Sequence, residues 1–315
     1  MLLNLLEYHW AEQIDEALIL LSRPDTKTVP LAGGTYLVGL KDDSIQAVVD
    51  LRDLELAYIS DDGRGIHIGA MTTLQSMVDS PVLKALANGM LARAAQFSSF
   101  SRLIRNSATL GGTLGTWVAS QADLLTVLAA LDAEVLLRSG AQTQVNLSGG
   151  TPDRPGWALP GVIYKGKNER RVALSSFNRE RRANELIIEV IVPRPAPDSG
   201  ASFMRVARTP TDIALLNAAA LVDVQDGAYR RVRLALGGVN MESVRLHNVE
   251  RLLQAKPVTS GQQVFEALQA GIGEFQPPSD FRASSGYRRA SGLNLAYRVL
   301  EEATINAQAS SEGGM

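Results

Sequence analysis

Two glycine pairs in comparable surroundings constrain this chain more than any other feature. Gly33-Gly34 follows the short apolar stretch Val29–Leu31, and Gly111-Gly112 follows the polar stretch Arg105–Ala108. A glycine pair permits positive φ and keeps side chains out of the way, so consecutive backbone N–H groups can converge on one anion. One such loop is a common tight turn. Two loops of the same pattern predict a site that holds both halves of a pyrophosphate.

The composition excludes several classes of site. The 315 residues include no cysteine, so disulfides, a cysteine nucleophile and a cysteine-held iron–sulfur cluster cannot occur in this chain. The three histidines, His9, His67 and His247, are not spaced as metal-ligand pairs. A net charge of −2 does not predict a nucleic-acid partner. No apolar run approaches the ~20 residues of a membrane-spanning helix, and we expect a cytoplasmic protein without a signal peptide.

The first half of the chain alternates helices with short strands. Apolar periodicity predicts helices over 12–22, 82–96 and 123–131, and strands at Ala47–Asp50, Gly65–Gly69 and 133–137. Thr72–Gln75 resembles a capping box that opens a further helix. Residues 139–161 are rich in Gly, Ser, Thr and Pro, which is typical of a loop.

The second half begins with a strong strand at 185–192, which Pro193, Pro195 and Pro197 end. The strand-like runs 218–225 and 229–236 are joined at Asp226-Gly227, a sequence typical of a hairpin turn. Helical patterns follow near 262–274 and 286–305, and the small, polar residues 307–315 predict a disordered tail.

The common nucleotide-binding signatures do not match. A dinucleotide-binding Gly-x-Gly-x-x-Gly is closest at Gly63–Gly69, where the spacing is wrong and the context is a turn and a strand. A phosphate loop of the kinase type is closest at Gly161–Asn168, where Asn168 replaces the hydroxyl residue that binds magnesium. The two glycine pairs therefore remain the main candidates for binding phosphate.

A series of further segments, in this order, resembles one known family. The segments are Glu7-Tyr8-His9, Ala32–Thr35, Val49-Asp50-Leu51, Ile68–Thr73, Arg105-Asn106, Ala108–Gly112, Ala122-Asp123-Leu124, Ala129–Ala133, Glu185-Leu186-Ile187, Arg205–Arg208, Asp212-Ile213-Ala214, Leu236–Val239 and Tyr287-Arg288-Arg289. They resemble the FAD subunit of molybdenum hydroxylases, a family that includes the medium subunit of aerobic carbon monoxide dehydrogenase and the flavin domain of xanthine dehydrogenase. The resemblance covers nearly the whole chain.

The resemblance implies an α+β fold. It implies a two-lobed FAD-binding domain of the vanillyl-alcohol-oxidase/PCMH type over residues 1–177, with the cofactor between the lobes. A connecting strand and linker would occupy 178–200. A C-terminal flavoprotein domain with a small antiparallel sheet of three strands and a group of helices would span 201–306, and the disordered tail would be 307–315.

The resemblance also implies the site. The N–H groups of Gly33, Gly34 and Thr35 would bind the pyrophosphate from one side, and those of Gly111, Gly112 and Thr113 from the other. Asp123 would accept hydrogen bonds from the ribityl hydroxyls. The full set of residues expected to bind FAD is Leu31, Ala32, Gly33, Gly34, Thr35, Tyr36, Ala108, Thr109, Gly111, Gly112, Thr113, Asp123, Leu186 and Arg205. FAD would be held without a covalent bond, and no catalytic or metal-binding residue is expected.

The function implied is electron transfer as one component of an oxidoreductase. A large subunit would carry the molybdenum cofactor and a small subunit the [2Fe–2S] clusters, in a dimer of heterotrimers. Electrons from these clusters would leave through FAD to NAD⁺, a quinone or another acceptor. The absence of cysteine from this chain agrees with clusters that lie on a partner.

The sequence departs from the family pattern at three places, of which the first two motivate an alternative. Thr113 replaces the usual asparagine, 119–123 retain the aspartate but not the proline of the family motif, and 203–205 place Arg205 where the family has a lysine. The alternative is a non-catalytic assembly subunit with the same fold and weak or lost FAD binding. A stand-alone flavin oxidase is a third reading, for which the sequence marks no substrate pocket.

Overall fold

The computed structural model describes residues 2–117, 122–140, 143–144, 162–163, 168–240, 244–258 and 261–312. The predicted loop 139–161 and the residues 119–121 of the departing motif lie largely or wholly outside them. The described strands are β1 (Glu7–Trp10), β2 (Thr28–Leu31), β3 (Ala47–Asp50), β4 (Ile59–Asp61), β5 (Gly65–Gly69), β6 (Glu134–Ser139), β7 (Thr143–Gln144), β8 (Val162–Ile163), β9 (Asn168–Ala173), β10 (Glu185–Pro193), β11 (Ser199–Val206), β12 (Leu216–Gln225), β13 (Ala228–Gly237) and β14 (Val244–Arg245).

Helices separate these strands in the first half of the chain and follow them in the second. The described α-helices are α1 (Ile14–Leu21), α2 (Leu74–Asp79), α3 (Pro81–Ala85), α4 (Met90–Ser98), α5 (Arg102–Ser107), α6 (Leu110–Thr116), α7 (Ala122–Ala130), α8 (Leu174–Glu180), α9 (His247–Leu253), α10 (Gly261–Ala270) and α11 (Ser285–Glu312). Among the described residues no helix is both long and apolar enough to cross a membrane. The mixture of helix and sheet agrees with the α+β prediction.

The first lobe is a small parallel sheet. Its strand order is β1-β3-β2, with β3 paired in parallel to both neighbours. All four residues of β3 are buried, as expected for the central strand of a covered parallel sheet. Helix α1 packs Ala17 and Leu18 into the core beside Val49. The first glycine pair follows directly after β2, at the carboxyl edge of this sheet.

The second lobe is an antiparallel sheet with strand order β4-β5-β10-β6-β9. Strand β10 lies at its centre, where Glu189 pairs with Gly69 of β5 and Ile191 pairs with Glu134 of β6. The strand expected within 178–200 is thus present as β10, and it pairs inside the sheet of the second lobe. The prolines mark the end of this strand: Pro193 lies at the last paired position, where a missing N–H costs least.

The C-terminal part forms a sheet with strand order β11-β12-β13-β14. The expected hairpin joins β12 to β13, and its turn residues Asp226 and Gly227 have φ of 52° and 71°, as a two-residue turn of this kind requires. The sheet has four strands rather than three, because Val244-Arg245 pairs with the end of β13.

The long helix α11 packs across β11 and β12 and continues to Glu312. The predicted disorder from 307 is therefore wrong as far as Glu312, and 313–315 lie outside the described residues. A Cβ built on Gly200 would lie 1.9 Å from the carbonyl oxygen of Ala303 and 2.2 Å from the amide nitrogen of Ala307. The absence of a side chain at Gly200 therefore lets this helix lie directly on β11.

The helix predicted over 82–96 is broken in the middle. Ala87 and Asn88 have φ of 47° and 54°, so α3 ends and α4 begins on either side of them. The Asn88 side-chain amide donates to the carbonyl of Ala201, 3.1 Å away on β11. This bond between the second lobe and the C-terminal sheet is not visible in the local helical pattern.

Candidate functional site

A cavity of about 670 Å³ lies between the parallel sheet of the first lobe and the antiparallel sheet of the second. Its volume is in the range of small-molecule and cofactor sites. The walls come from the loop after β2, the ends of β3 and β5, helix α6, the end of α8 and the start of β10. Both glycine pairs line it.

The first glycine pair leaves its backbone donors free. Gly34 has φ of 67°, a conformation that favours glycine. Among the described residues the N–H groups of Gly33, Gly34 and Thr35 have no hydrogen-bond acceptor, although the Gly34 carbonyl accepts from the N–H of Val38, 3.2 Å away. Unpaired backbone N–H groups at a cavity wall provide donors for an anion.

The backbone N–H donors of the second glycine pair are not free. Gly111 and Gly112 lie in the first turn of α6, and neither has positive φ. The Gly111 N–H donates to the carbonyl of Ala70 at 2.7 Å, and the Gly112 N–H to Oγ1 of Thr109 at 3.0 Å. The Thr113 N–H donates to the carbonyl of Thr109 at 2.9 Å. All three N–H groups are thus engaged within the chain, that of Gly111 by Ala70 and the other two by Thr109, which caps the helix. In this structure they are not free to bind a phosphate in the way expected from the sequence.

Glycine is needed at Gly33 and Gly111 for a different reason, which is close approach. A Cβ built on Gly33 would lie 1.6 Å from the carbonyl oxygen of Ser107, just before the second pair. A Cβ on Gly111 would lie 2.8 Å from Cβ of Ala70 and 2.9 Å from its oxygen. The first loop thus rests on Ser107, the last residue of α5, in the segment that leads into the second glycine pair.

Most of the residues expected to bind FAD line this cavity. They are Ala32, Gly33, Gly34, Thr35, Tyr36, Ala108, Thr109, Gly111, Gly112, Thr113 and Leu186. Leu31 is the last residue of β2, and its carbonyl accepts from the N–H of Leu51 at 3.0 Å. It is not part of the wall. Tyr36 is 40% exposed at the opening.

Asp123 and Arg205 are brought together by the fold, but away from the cavity wall. Nε of Arg205 lies 3.2 Å from Oδ2 of Asp123, and the Asn217 side-chain amide donates to Oδ1 at 2.7 Å. The Asp123 side chain is 3% exposed. Burial raises the pKa of Asp123, although the guanidinium and the amide both favour its charged form. The structure gives this pair a role in joining α7 to β11 and β12, and it does not support the expected ribityl contact.

Two wall residues were not found from the sequence. Arg181 lies after α8 and donates to the carbonyl of Gly115 at 2.7 Å, at the C-terminal end of α6. Its guanidinium lies 5.7 Å from the ring centre of Phe177, a second wall residue. Residues 179–182 contain three arginines around Glu180, a composition typical of a basic surface patch. The aromatic Phe177 two residues earlier was the available signal that this segment packs inward.

Glu185 is a charged wall residue that is already neutralised. It accepts from Nε of Arg170 at 2.7 Å and from the Arg182 N–H at 2.9 Å. Burial would raise the pKa of Glu185, but these two donors outweigh burial and lower it. The carboxylate therefore stays ionised and paired, and it does not offer a proton acceptor to the cavity.

The walls fit FAD. The free N–H groups of the first loop suit a pyrophosphate, since hydrogen bonds to a charged group contribute about 1.5–3 kcal/mol each. The remaining wall is largely apolar and suits a flat ring; it includes Leu37, Leu40, Leu51, Met71, Leu137 and Leu186. Within the described part of the chain, no group of three or more His, Asp or Glu side chains is placed to hold a metal ion.

Two family models match the chain in succession. The FAD binding domain in molybdopterin dehydrogenase matches residues 4–148, and the CO dehydrogenase flavoprotein C-terminal domain matches residues 201–303. The first range includes both glycine loops of the cavity. The second includes most of β11, all of β12 to β14 and most of α11.

Whole proteins also match along nearly their full length. The chain is 28% identical to the glyceraldehyde dehydrogenase medium chain of Sulfolobus acidocaldarius, over 94% of this chain and 97% of that protein. It is 24% identical to the carbon monoxide dehydrogenase medium chain of Hydrogenophaga pseudoflava, over 94% and 96%. A solved carbon monoxide dehydrogenase from Hydrogenophaga pseudoflava, which lacks the Mo-pyranopterin moiety of its cofactor, has the same fold: its TM-score is 0.80 at 24% identity, covering 96% of this chain and 98% of that one.

Proposed function

The chain belongs to the family of FAD-binding flavoprotein subunits of molybdenum hydroxylases, and we propose that it is the component through which electrons leave such a complex. As in the related dehydrogenases, it is an oxidoreductase component rather than a complete enzyme. The observation that carries the proposal is the set of free N–H groups of Gly33, Gly34 and Thr35 on the wall of a largely apolar cavity.

In this proposal the first loop holds the pyrophosphate of a non-covalently bound FAD. The second loop supports it through the contact between Gly33 and Ser107. Leu186 and the other apolar wall residues exclude water from the ring, and Arg181 fixes the end of α6 beside it. When bound, FAD supplies the redox chemistry, taking electrons from [2Fe–2S] clusters and passing them to NAD⁺, a quinone or another acceptor.

The proposed partners are a large subunit with the molybdenum cofactor and a small subunit with the [2Fe–2S] clusters. The related proteins named as medium chains support this, because a medium chain implies a larger and a smaller one. We propose a dimer of heterotrimers in the cytoplasm. The lack of cysteine means that this chain contributes no cysteine ligand to a cluster and no disulfide.

Affinity purification of the tagged chain from its native cells tests the proposal. We expect two further chains to co-purify, with molybdenum, iron and FAD in fixed ratio by elemental analysis and absorption spectroscopy. The mass of the complex should correspond to two copies of each chain. Purification of the chain alone, without metal, would contradict the proposed assembly. Substrate hydroxylation by the isolated chain would contradict the proposed division of roles.

A further inference from the structure

A second cavity, of about 380 Å³, lies on the seam between the flavin-binding part and the C-terminal sheet. The turn after α7 contributes Asp132, and β13, β14 and α9 contribute the rest. Its charged side chains are Arg231, Arg233, Arg245, Arg251, Asp132 and Glu250. Four guanidinium groups thus face two carboxylates, and His247 at the rim adds no negative charge.

Both carboxylates are already engaged by protein groups. Asp132 has φ of 54°, and its carboxylate accepts from Arg233 and Arg245 and lies 3.6 Å from Arg231. Glu250 accepts from Arg245 at 2.6 and 2.8 Å and from the backbone N–H of Leu234 at 2.9 Å. Neither acid has spare capacity to balance another cation.

Arg233 has fewer hydrogen-bond acceptors around it than its guanidinium group has N–H donors. Its side chain is 8% exposed, and among the described residues its one hydrogen bond runs from Nε to Asp132. A guanidinium has five N–H donors, so the Nη donors at this cavity have no acceptor in the described part of the chain. No Nη atom of Arg233 is among the fully buried side-chain atoms without a partner, so these donors remain accessible to a ligand in the cavity. Burial lowers the pKa of Arg233, and the attraction of Asp132 does not compensate while Arg231 adds repulsion.

We propose that this second cavity binds a phosphate group between Arg231 and Arg233, with Arg251 at its rim. Planar guanidinium groups match phosphate oxygens in pairs, and a dianion would balance the two unmatched positive charges. The volume exceeds that of one phosphate ion, so inorganic phosphate and a small phosphate ester are two sources of the same group. The site is distinct from the FAD cavity and shares no wall residue with it.

Occupancy would tie together two parts of the chain. Asp132 precedes β6 of the flavin-binding part, whereas Arg231 and Arg233 lie on β13 of the C-terminal sheet. An anion between the guanidinium groups removes their mutual repulsion across this seam. Phosphate should therefore raise the thermal unfolding temperature of the full chain more than chloride does at the same ionic strength.

The test is calorimetric titration of the full-length, FAD-loaded protein with inorganic phosphate and, separately, with glycerol 3-phosphate, in a phosphate-free buffer. We expect one saturable site in the wild type. Arg231→Gln and Arg251→Gln should each weaken binding, by about tenfold for a lost charge-assisted hydrogen bond. Tighter binding of glycerol 3-phosphate identifies an ester as the ligand, and equal or weaker binding identifies the free ion; either result supports the site.

Arg208→Gln is the matched control, because Arg208 is an exposed arginine whose Nε contacts Asp212 at 3.2 Å, away from this cavity. It should leave phosphate binding unchanged. No saturable binding of either phosphate compound would overturn the proposal. So would an equal loss in Arg208→Gln, which would indicate non-specific charge attraction. If the cofactor-free protein binds phosphate but the FAD-loaded protein does not, the phosphate binds at the first glycine loop. This result would also overturn the proposal.

Discussion

The backbone of Gly33 lies directly against the carbonyl of Ser107. A Cβ built on Gly33 would fall 1.6 Å from the Ser107 oxygen, far inside any normal contact. This contact joins the loop after β2 to the segment that leads into α6. The position of the first loop, and with it the direction of its free N–H groups, therefore depends on its contact with Ser107.

Gly33→Ala should separate the two loops. We expect the affinity for FAD to fall more than tenfold, because the added methyl group cannot be accommodated without moving the backbone of one loop. Gly39→Ala is the control, since a Cβ built there meets nothing within 4 Å. Equilibrium dialysis of FAD against each folded variant measures the effect. Equal affinities in both variants would show that the loop contact is not needed.

Thr109→Ala should destabilise the protein by about 1 kcal/mol, which is typical for a lost helix cap. The Thr109 side chain accepts from the Gly112 N–H at 3.0 Å. Thr73→Ala is the matched control at another cap, where the side chain accepts from the Ser76 N–H at 3.1 Å. Urea unfolding should give similar losses for the two variants. If Thr109→Ala alone shows no loss, the Gly112 N–H is not satisfied by Thr109 as described.

Arg205→Met should leave the buried carboxylate of Asp123 without its charged partner, although the Asn217 amide still donates to it. Removing one member of such a pair costs about 3–5 kcal/mol, and urea unfolding should show a loss of that size. Arg208→Met, at an exposed ion pair, should change stability by less than about 1 kcal/mol.

Asp123→Asn distinguishes the structural role of this pair from the ribityl contact expected from the sequence. We expect reduced stability with an FAD dissociation constant within about twofold of wild type, because Asp123 is not on the cavity wall. Calorimetric titration with FAD at a temperature where the variant is folded provides the measurement. Weakened FAD binding at unchanged stability would instead support the ribityl contact.

His67 should make stability depend on pH. Burial alone would lower the pKa of His67, but its contacts with Glu189 at 3.0 Å and Asp62 at 3.3 Å outweigh burial and raise it. The protonated form is thus favoured by folding. The resulting stabilisation is complete below the unfolded pKa of about 6.5, and it is lost as the pH rises through the higher pKa of the folded state.

In the wild type, His67 should therefore make the free energy of unfolding greater near pH 5.5 than near pH 8. The variant His67→Gln should lack this contribution. Urea titrations at both pH values provide the comparison, and an NMR titration of the imidazole provides the folded pKa directly. A folded pKa below the ordinary value for histidine would show that burial dominates over the two carboxylates.

Local signals in the sequence located many elements of the fold. Alternation and flanking turns placed β3 and β5, and Asp226-Gly227 placed the hairpin between β12 and β13. The sequence also located the first glycine loop as a candidate anion site, because the N–H groups there are exposed by the local backbone conformation alone. Pairing between distant segments was not predictable in this way. Strand β10 enters the middle of a sheet whose neighbours β5 and β6 are remote in sequence.

The site was harder to predict where a hydrogen-bond donor or a charged group is paired with a residue remote in sequence. The N–H of Gly111 is satisfied by the carbonyl of Ala70, which no local pattern reveals. Asp123 and Arg205 read as cofactor ligands because they are polar residues in matching segments, yet the fold pairs them with each other. Arg181 was missed because its acceptor lies at the end of a helix remote in sequence.

The most direct measurement is a titration of the cofactor-free wild-type chain with FAD, followed by flavin fluorescence, with ADP as competitor. We expect saturation at one FAD per chain, and competition by ADP, whose pyrophosphate would occupy the N–H groups of Gly33, Gly34 and Thr35. A folded chain that takes up no FAD would contradict this expectation, as would uptake that ADP at high excess does not affect.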